Sequence, residues 1–199
     1  KASWVVFDED LELAEAVRSE LRQDLRRALA NDQLHLHYQP VVRASDRQLV
    51  GAEAMVRWRH PKRGMVSPAQ FLPMLTELDL DAEVGQWALT RAASDMRGWL
   101  QATGRDLTVV IDLFPGLLAH PQLPQVVAEA LGDAGLAPDH LQLEVGEAYL
   151  LDQPAEVLDR LAAIQETGVG IGIDAFGTSH LSLPQLRAMP VDSLKIAPT

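Results

Sequence analysis

A predicted strand from Leu49 to Trp58 carries side chains that suit the chemistry of a phosphate and its counter-ion. Side chains alternate along a strand, so Glu53, Met55 and Arg57 share one face, and the opposite face is apolar. A carboxylate suits a hard divalent cation, and a guanidinium suits a phosphate. The strand therefore predicts a polar site on one face and a cover of helices on the other. The simpler alternative is a half-solvated strand with an internal ion pair.

Acidic side chains recur near the ends of the later predicted strands. Asp112, Glu144 and Asp174 arrive one per strand, and Lys195 lies on the next strand. A single acid after a strand is usually a helix cap, but the ends of parallel barrel strands converge on one face. Carboxylates that meet there repel one another unless a cation binds. An all-oxygen set of this kind favours Mg²⁺, Mn²⁺ or Ca²⁺.

The elements that must position these side chains alternate regularly. Apolar spacing predicts a helix over residues 10–30 and then a hairpin of two strands. The later helices are predicted at 68–79, 82–102, 121–131, 154–167 and 181–189. The strands are predicted at 34–42, 49–58, 107–113, 141–145, 170–173 and 193–196. This alternation predicts parallel strands joined by right-handed crossovers.

A His-x-His pair, His35 and His37, lies on the first predicted strand. Two histidines at this spacing can bind a transition metal, but a stable site needs a third ligand. No third ligand is near in the sequence. We therefore interpret the pair as polar residues on a strand face and keep the metal pair as the alternative.

The composition is that of an ordinary globular chain, with 47% hydrophobic and 23% charged residues. A length of 199 residues allows one sizeable domain and part of another. The net charge of −11 disfavours nucleic acid as a partner. It permits a small phosphate ligand in a pocket that has its own cations.

The chain contains no cysteine, which excludes disulfides and thiolate metal sites and fits a reducing compartment. No apolar run approaches the roughly 20 residues that span a bilayer, and no signal peptide is visible. We therefore expect no membrane segment and a cytoplasmic location. Lys1 is not a start methionine, so we expect a fragment or a processed piece.

Several motifs resemble those of the EAL domain family, which consists of cyclic di-GMP phosphodiesterases and receptors. The motifs are Tyr38–Pro40, Gly51–Pro61, Leu143–Glu147, Asp174–Thr178 and Pro190–Ile196. The resemblance implies a domain over residues 25–199. Residues 1–24 resemble the end of a GGDEF domain and the joining helix of tandem GGDEF–EAL proteins.

The resemblance implies an α/β fold, namely a TIM-type (β/α) barrel with an antiparallel first strand. About six of the eight strands would lie in this chain, which ends before the seventh and eighth strands and before the family's general-base glutamate. Six strands leave edges and an apolar lumen open. We therefore expect that further sequence completes the barrel or that a partner covers the opening.

An active family member holds two Mg²⁺ or Mn²⁺ ions, which generate a hydroxide and clamp one phosphodiester. The positions that match its metal ligands are Glu53, Glu144 and Asp174. The positions that match ligand contacts are Gln39, Met55 and Arg57, beside Glu53. Lys195 matches the lysine that orients the attacking water, and Glu147 matches the glutamate that anchors the loop after Asp174.

The chain departs from the family pattern at several of these positions. Ala175 replaces the second aspartate of the loop motif, and Ala197 replaces another carboxylate, so neither side chain can coordinate an ion. Asp112 stands where an asparagine ligand is expected and can still offer oxygen. Met55 replaces a leucine, which is a mild exchange. Ser179 replaces a glycine, which we expect to restrict the loop.

These departures favour a degenerate EAL domain that binds cyclic di-GMP without hydrolysing it, with Lys195 and Glu147 as vestiges of the catalytic machinery. The remaining metal donors are Glu53, Asp112, Glu144 and Asp174. We expect at most one weakly bound Mg²⁺ or Mn²⁺ and no required cofactor. The alternatives are an active metal-dependent phosphodiesterase and a ligand-free interaction scaffold. Family receptors suggest a PilZ-type adaptor as partner, and the helix over residues 10–30 suggests a domain linker or a homodimer contact.

Overall fold

The computed structural model describes residues 9–151, 155–179 and 181–197. The helices are α1 Glu9–Ala28, α2 Pro68–Glu77, α3 Asp81–Thr103, α4 Pro115–Ala119, α5 Leu123–Ala134, α6 Glu147–Leu150, α7 Ala155–Gln165 and α8 Leu183–Arg187. The strands are β1 Leu34–Val42, β2 Leu49–His60, β3 Gly64–Val66, β4 Thr108–Asp112, β5 Leu141–Gly146, β6 Gly170–Phe176 and β7 Ser193–Ile196. Within these described residues, no helix combines the length and the apolarity needed to cross a membrane.

A single mixed sheet organises the fold, with its strands in the order β1-β2-β4-β5-β6-β7. β1 runs antiparallel to β2, and short β3 returns antiparallel along the end of β2. The other neighbours pair in parallel, and helices connect them, as parallel crossovers require. The predicted α/β architecture with an antiparallel first strand is confirmed.

The sheet curls into an open barrel. Four strand spacings separate β2 from β7, which in a flat sheet would place these strands about 19 Å apart. Nevertheless, Lys195 on β7 donates a hydrogen bond to Glu53 on β2 at 2.6 Å. These two side chains can meet across four strand spacings only if the sheet curls and brings β7 towards β2. The polar faces of β2 and β7 therefore line the inside of the barrel.

The apolar face of β2 lies against the helices, as the sequence predicts. Trp58 is fully buried, and its ring packs edge-to-face with Phe71 of α2 at a centroid distance of 6.0 Å. Val56 lies on the same strand face and is also buried. At Gly51, β2 approaches β4 so closely that a Cβ atom would lie 2.2 Å from the carbonyl oxygen of Thr108. Glycine is therefore required at this close approach.

The second half of α1 packs against the barrel. Leu21 and Leu25 are buried and belong to the core. Asp24 accepts a hydrogen bond from Nε2 of buried His60 at 2.9 Å, because the other ring nitrogen already accepts two backbone N–H groups. The helix is thus continuous with the core over its last turns. The division of the chain near residue 24 stays a prediction, and residues 1–8 lie outside the described part.

Several element boundaries differ from those predicted. The strand predicted over 170–173 continues to Phe176, and the helix predicted over 121–131 spans Leu123–Ala134. That helix ends at Gly135, whose φ of 61° lies in the left-handed region. The helices predicted over 10–30 and 181–189 are shorter than predicted. The elements β3, α4 and α6 were not predicted, because three to five residues are too few to show a period.

Candidate functional site

The carboxylates predicted at the strand ends meet inside the open barrel. The register pairs Asp112 at the end of β4 with Glu144 on β5, and Asp174 on β6 lies opposite Gly146. Oxygen atoms of Glu53, Asp112 and Glu144 all lie within 4.8 Å of one another. Parallel pairing thus brings together acids that are far apart in sequence. Their oxygen atoms are donors that suit one hard divalent cation.

Lys195 places its ammonium among these carboxylates. Its Nζ lies 2.6 Å from Glu53 Oε1, 3.0 Å from Glu144 Oε2 and 3.4 Å from Asp174 Oδ1. Burial alone would lower the pKa of Lys195, but the hydrogen bonds to Glu53 and Glu144 outweigh this and raise it. The chain therefore supplies its own cation to the acidic cluster, and this cation contacts two of the three carboxylates that could hold a metal, Glu53 and Glu144.

Asp112 differs from the other acids because, among the described residues, no ammonium forms an ion pair with it. Although one side of the group stays open to solvent, desolvation by the surrounding protein raises the pKa of Asp112 to about 7. Lys195 opposes this rise, and the neighbouring carboxylates add to it. Desolvation likewise raises the pKa of Glu144, against the effect of Lys195. The cluster therefore carries less negative charge near neutral pH than its number of acids suggests.

The amide of Gln142 holds Glu144 from the other side and also donates to the hydroxyl oxygen of Ser193. Gln142 Nε2 donates to Glu144 Oε1 at 3.3 Å and to Ser193 Oγ at 3.0 Å. A Cβ atom at Gly172 would lie 2.8 Å from Ser193 Oγ, so glycine leaves room for this contact. Sequence reasoning did not identify Gln142 or Ser193. The sequence did contain a signal for them. Gln142 lies two residues before Glu144, Ser193 lies two residues before Lys195, and alternate residues of a strand share a face.

Arg57 does not form the internal ion pair that was the simpler alternative for its strand. Its guanidinium donates to the carbonyl oxygen of Val56 at 2.9 Å and to Met55 Sδ at 3.2 Å. Glu53 pairs instead with Lys195. In the part of the chain that the structure describes, no carboxylate lies within 4.0 Å of Arg57. This guanidinium therefore retains the capacity to pair with a phosphate.

The remaining polar positions of the first hairpin share the face of Arg57. Gln39 is exposed and pairs in register with Glu53, while His37 pairs with Met55 and His35 with Arg57. Directly opposed residues of antiparallel strands point to the same side of the sheet. Within the described residues, neither histidine belongs to a cluster of three or more potential metal ligands. Their place on a polar strand face agrees with the interpretation from sequence.

Glu147 holds the loop that follows β6. Its buried carboxylate accepts backbone N–H groups from Gly177, Thr178 and Ser179 at 2.9–3.0 Å and from Leu181 at 3.3 Å. Burial alone would raise the pKa of Glu147, but these four donors together lower it. Ser179 is not in the left-handed region, so the expectation that it restricts the loop finds no support in its backbone conformation.

The two alanines lie beside the cluster and offer it no donor. Ala175 has a φ of 55°, a left-handed conformation that suits glycine, asparagine or aspartate better than alanine. The N–H group of Ala197 donates to the carbonyl oxygen of Phe176 at 3.3 Å, which continues the pairing of β7 with β6. Both methyl groups occupy positions at which the family resemblance expects a carboxylate.

Two cavities adjoin the cluster. The larger has a volume of about 580 Å³, and its polar wall includes Thr76, Glu77, Asp112 and Asp174. The smaller has a volume of about 270 Å³ and is lined by Glu53, Met55 and Arg57, among others. The residues that line both cavities are Leu72, Asp112 and Phe114. Sequence reasoning missed the apolar walls and Glu77, because α2 reaches the site only through tertiary packing.

Comparison with known proteins identifies the class to which this site belongs. The family model described as "EAL domain" matches residues 22–199. The chain belongs to the EAL domain family.

Curated relatives include MucR of Pseudomonas aeruginosa, named a bifunctional diguanylate cyclase/cyclic di-GMP phosphodiesterase. It is 38% identical over 196 residues, which is 97% of this chain and 28% of MucR. The chain spans about a quarter of the length of MucR and of other curated relatives that it matches.

Solved structures of the family share the fold. The MucR phosphodiesterase in complex with cyclic di-GMP superposes with a TM-score of 0.85 at 40% identity, covering 89% of this chain and 72% of that one. The FimX EAL domain of Xanthomonas citri, also in complex with cyclic di-GMP, has a TM-score of 0.80 at 25% identity, covering 93% and 72%. The predicted family and fold are therefore confirmed.

Proposed function

We propose that this EAL domain is a receptor that binds cyclic di-GMP without hydrolysing it. The observation that carries the proposal is the presence of alanine at positions 175 and 197, while the ammonium of Lys195 compensates part of the charge of the acidic cluster from within the chain. The neighbouring positions that would complete a second cation site are Ala175 and Ala197, which provide no donor. A two-metal hydrolysis needs donors on both sides of the attacking oxygen, so these residues favour binding over turnover.

The ligand contacts follow from charge and shape. Cyclic di-GMP is an anionic dinucleotide, and Arg57 presents a guanidinium that no carboxylate of the described residues neutralises. Gln39 on β1 and Met55 on β2 lie on the same face of the sheet as Arg57. The two cavities, which share Asp112 and Phe114 in their walls, offer volume for the two halves of the ligand. A charge-assisted contact between Arg57 and a phosphate contributes about 1.5–3 kcal/mol.

The donor set fits one divalent cation. The oxygen atoms of Glu53, Asp112 and Glu144 are close enough to share an ion, and Lys195 competes for two of these side chains. In an active family member the bound ions supply water activation and a clamp on the phosphodiester. In this chain we propose that any single Mg²⁺ or Mn²⁺ binds weakly and that Arg57 carries most of the charge compensation for the phosphate.

Calorimetric titration of the chain with cyclic di-GMP, in Mg²⁺ and in EDTA, tests the proposal. We expect binding in both buffers and no linear dinucleotide product after long incubation with Mn²⁺. Arg57→Ala should weaken binding at least about tenfold. The exposed Arg59→Ala on the same strand is the matched control and should leave binding unchanged. Loss of cyclic di-GMP binding in EDTA would contradict the proposal that Arg57, and not a metal ion, compensates most of the charge of the phosphate.

An active phosphodiesterase is the second candidate. The compact acidic cluster favours it, and so do the names of the relatives MucR and NbdA, both described as cyclic di-GMP phosphodiesterases. Multiple turnovers of linear product that Glu53→Ala abolishes would establish this reading and exclude the receptor. Absence of any binding would favour a ligand-free scaffold. A PilZ-type adaptor and a second copy of the chain are the partners we propose for the receptor.

A further inference from the structure

A pair of arginines on α1 contacts a carboxylate in the wall of the larger cavity. Arg18 Nη2 donates to Glu77 Oε1 at 2.5 Å, and Arg22 donates to Glu77 Oε2 through Nη2 at 2.6 Å and through Nε at 3.1 Å. Both oxygen atoms of Glu77 are therefore held from the α1 side. The hydrogen bond from Arg22 is the main reason why the pKa of Glu77 is lowered.

Glu77 lies in a cavity that is already acidic. Asp112, Glu144 and Asp174 line the same cavity, and Lys195 is the cation that contacts two of them. An additional unpaired carboxylate in this wall would repel an anionic ligand, since charges within a Debye length of about 8–10 Å interact through the solvent. The two arginines offset this charge and add one further positive charge next to Glu77, although they do not line the cavity themselves.

We propose that Arg18 and Arg22 are positioning residues for the cyclic di-GMP site: they hold and neutralise Glu77, which makes α1 part of the ligand site. This inference rests on the proposed receptor function. It differs from the expectation that the N-terminal helix is only a linker or a dimer contact. Any movement of α1 that separates the arginines from Glu77 would lower the affinity for the ligand.

The chain provides a matched control on the same helix. Lys62 and Arg63, in the turn between β2 and β3, both pair with Glu20 of α1. This cluster also joins two cations of one segment to one glutamate of another; Arg63 and Glu20 have an exposure comparable to that of Arg22 and Glu77, and Lys62 is more exposed. None of its residues lines either of the two cavities beside the acidic cluster. Removing the two cations of this cluster tests whether weaker packing of α1 against the barrel is enough by itself to change the affinity for cyclic di-GMP.

The experiment is calorimetric titration of the chain with cyclic di-GMP in low salt. We expect the double variant Arg18→Gln, Arg22→Gln to lower the affinity about three- to fivefold, the upper end of what exposed ion pairs contribute. Adding Glu77→Gln to this variant should restore the affinity to within about twofold of wild type, because the uncompensated charge is removed. Glu77→Gln alone should bind at least as tightly as wild type, and Lys62→Gln, Arg63→Gln should bind like wild type.

The outcomes separate this inference from the receptor proposal. A wild-type chain that does not bind cyclic di-GMP overturns both. A wild type that binds, with an unchanged affinity in the Arg18, Arg22 variant, overturns only the role of the arginines. A loss that Glu77→Gln does not rescue, or an equal loss in the Lys62, Arg63 variant, shows that α1 acts only through helix docking and also overturns it.

Discussion

At the scale of single residues, charge compensation decides what the site can do. Lys195 satisfies carboxylates that would otherwise need a cation from solution. Arg57 lies on the neighbouring wall without such a partner among the described residues. The site therefore presents an acidic side that Lys195 compensates in part and a basic side that no carboxylate of the described residues compensates. The proposed receptor function uses the basic side, because a guanidinium without an internal partner can pair with a phosphate.

Replacing the internal cation should expose the metal-binding capacity of the acids. We expect Lys195→Met to tighten Mn²⁺ binding about tenfold, because the ammonium no longer occupies the oxygen atoms of Glu53 and Glu144. Calorimetric titration with Mn²⁺ measures this, and the exposed Lys62→Met is the control. Equal Mn²⁺ affinity in wild type and Lys195→Met would show that the lysine does not compete with the ion.

Asp112 should make stability depend on pH. Its pKa is raised from 3.8 to about 7, so the folded state holds this proton more tightly than the unfolded state. The stabilisation is therefore fully present below about pH 4 and is lost as the pH rises towards 7. We expect wild type to lose stability relative to Asp112→Asn between pH 5 and pH 8, measured by urea unfolding. If wild type and Asp112→Asn differ in their free energy of unfolding by the same amount at pH 5 and at pH 8, the raised pKa of Asp112 is contradicted.

At the scale of elements, one glutamate connects two parts of the chain around the site. Glu147 begins α6 directly after β5, and its carboxylate receives the backbone N–H groups of the loop after β6. That loop follows Asp174 and Ala175. The position of the Asp174 side chain therefore depends on α6, a short helix that also contributes Tyr149 to the wall of the larger cavity.

Glu147→Gln should loosen this loop. A neutral amide oxygen accepts hydrogen bonds more weakly than a carboxylate, and the amide nitrogen accepts none. We expect faster hydrogen exchange of the amides of Gly177, Thr178 and Ser179, measured by NMR or mass spectrometry. Glu156→Gln on the exposed side of α7 is the control and should leave these rates unchanged. Unaltered exchange in Glu147→Gln would show that the loop is held by other contacts.

At the scale of the whole molecule, the curl of the sheet and its helical cover create the site together. The net charge of the whole chain is −11, whereas the cations that matter for a phosphate are local, such as Arg57 beside the smaller cavity. Helix α2 packs its apolar side against β2 through Phe71 and turns Leu72 and Glu77 towards the cavities. Core packing and ligand binding therefore depend on the same helix.

Removing the anchor of α2 should destabilise the fold as a whole. Phe71 is fully buried against Trp58, so we expect Phe71→Ala to lower the free energy of unfolding by about 3–5 kcal/mol. Urea unfolding followed by tryptophan fluorescence measures the change. The exposed Met65→Ala should change stability by no more than about 0.5 kcal/mol. A loss of less than about 1 kcal/mol for Phe71→Ala would contradict the packing described here.

Local patterns in the sequence were sufficient to predict the family, most of the helices and strands, and the group of acidic residues in the site. The alternation around Glu53 and the apolar strands before Asp112 and Asp174 are short-range signals, and parallel pairing then requires these strand ends to converge. Tertiary structure decided the partners. Lys195 lies 142 residues from Glu53, and Glu77 meets Arg22 across 55 residues. No sequence period records contacts of that separation, because they exist only after the sheet curls and α1 and α2 pack together.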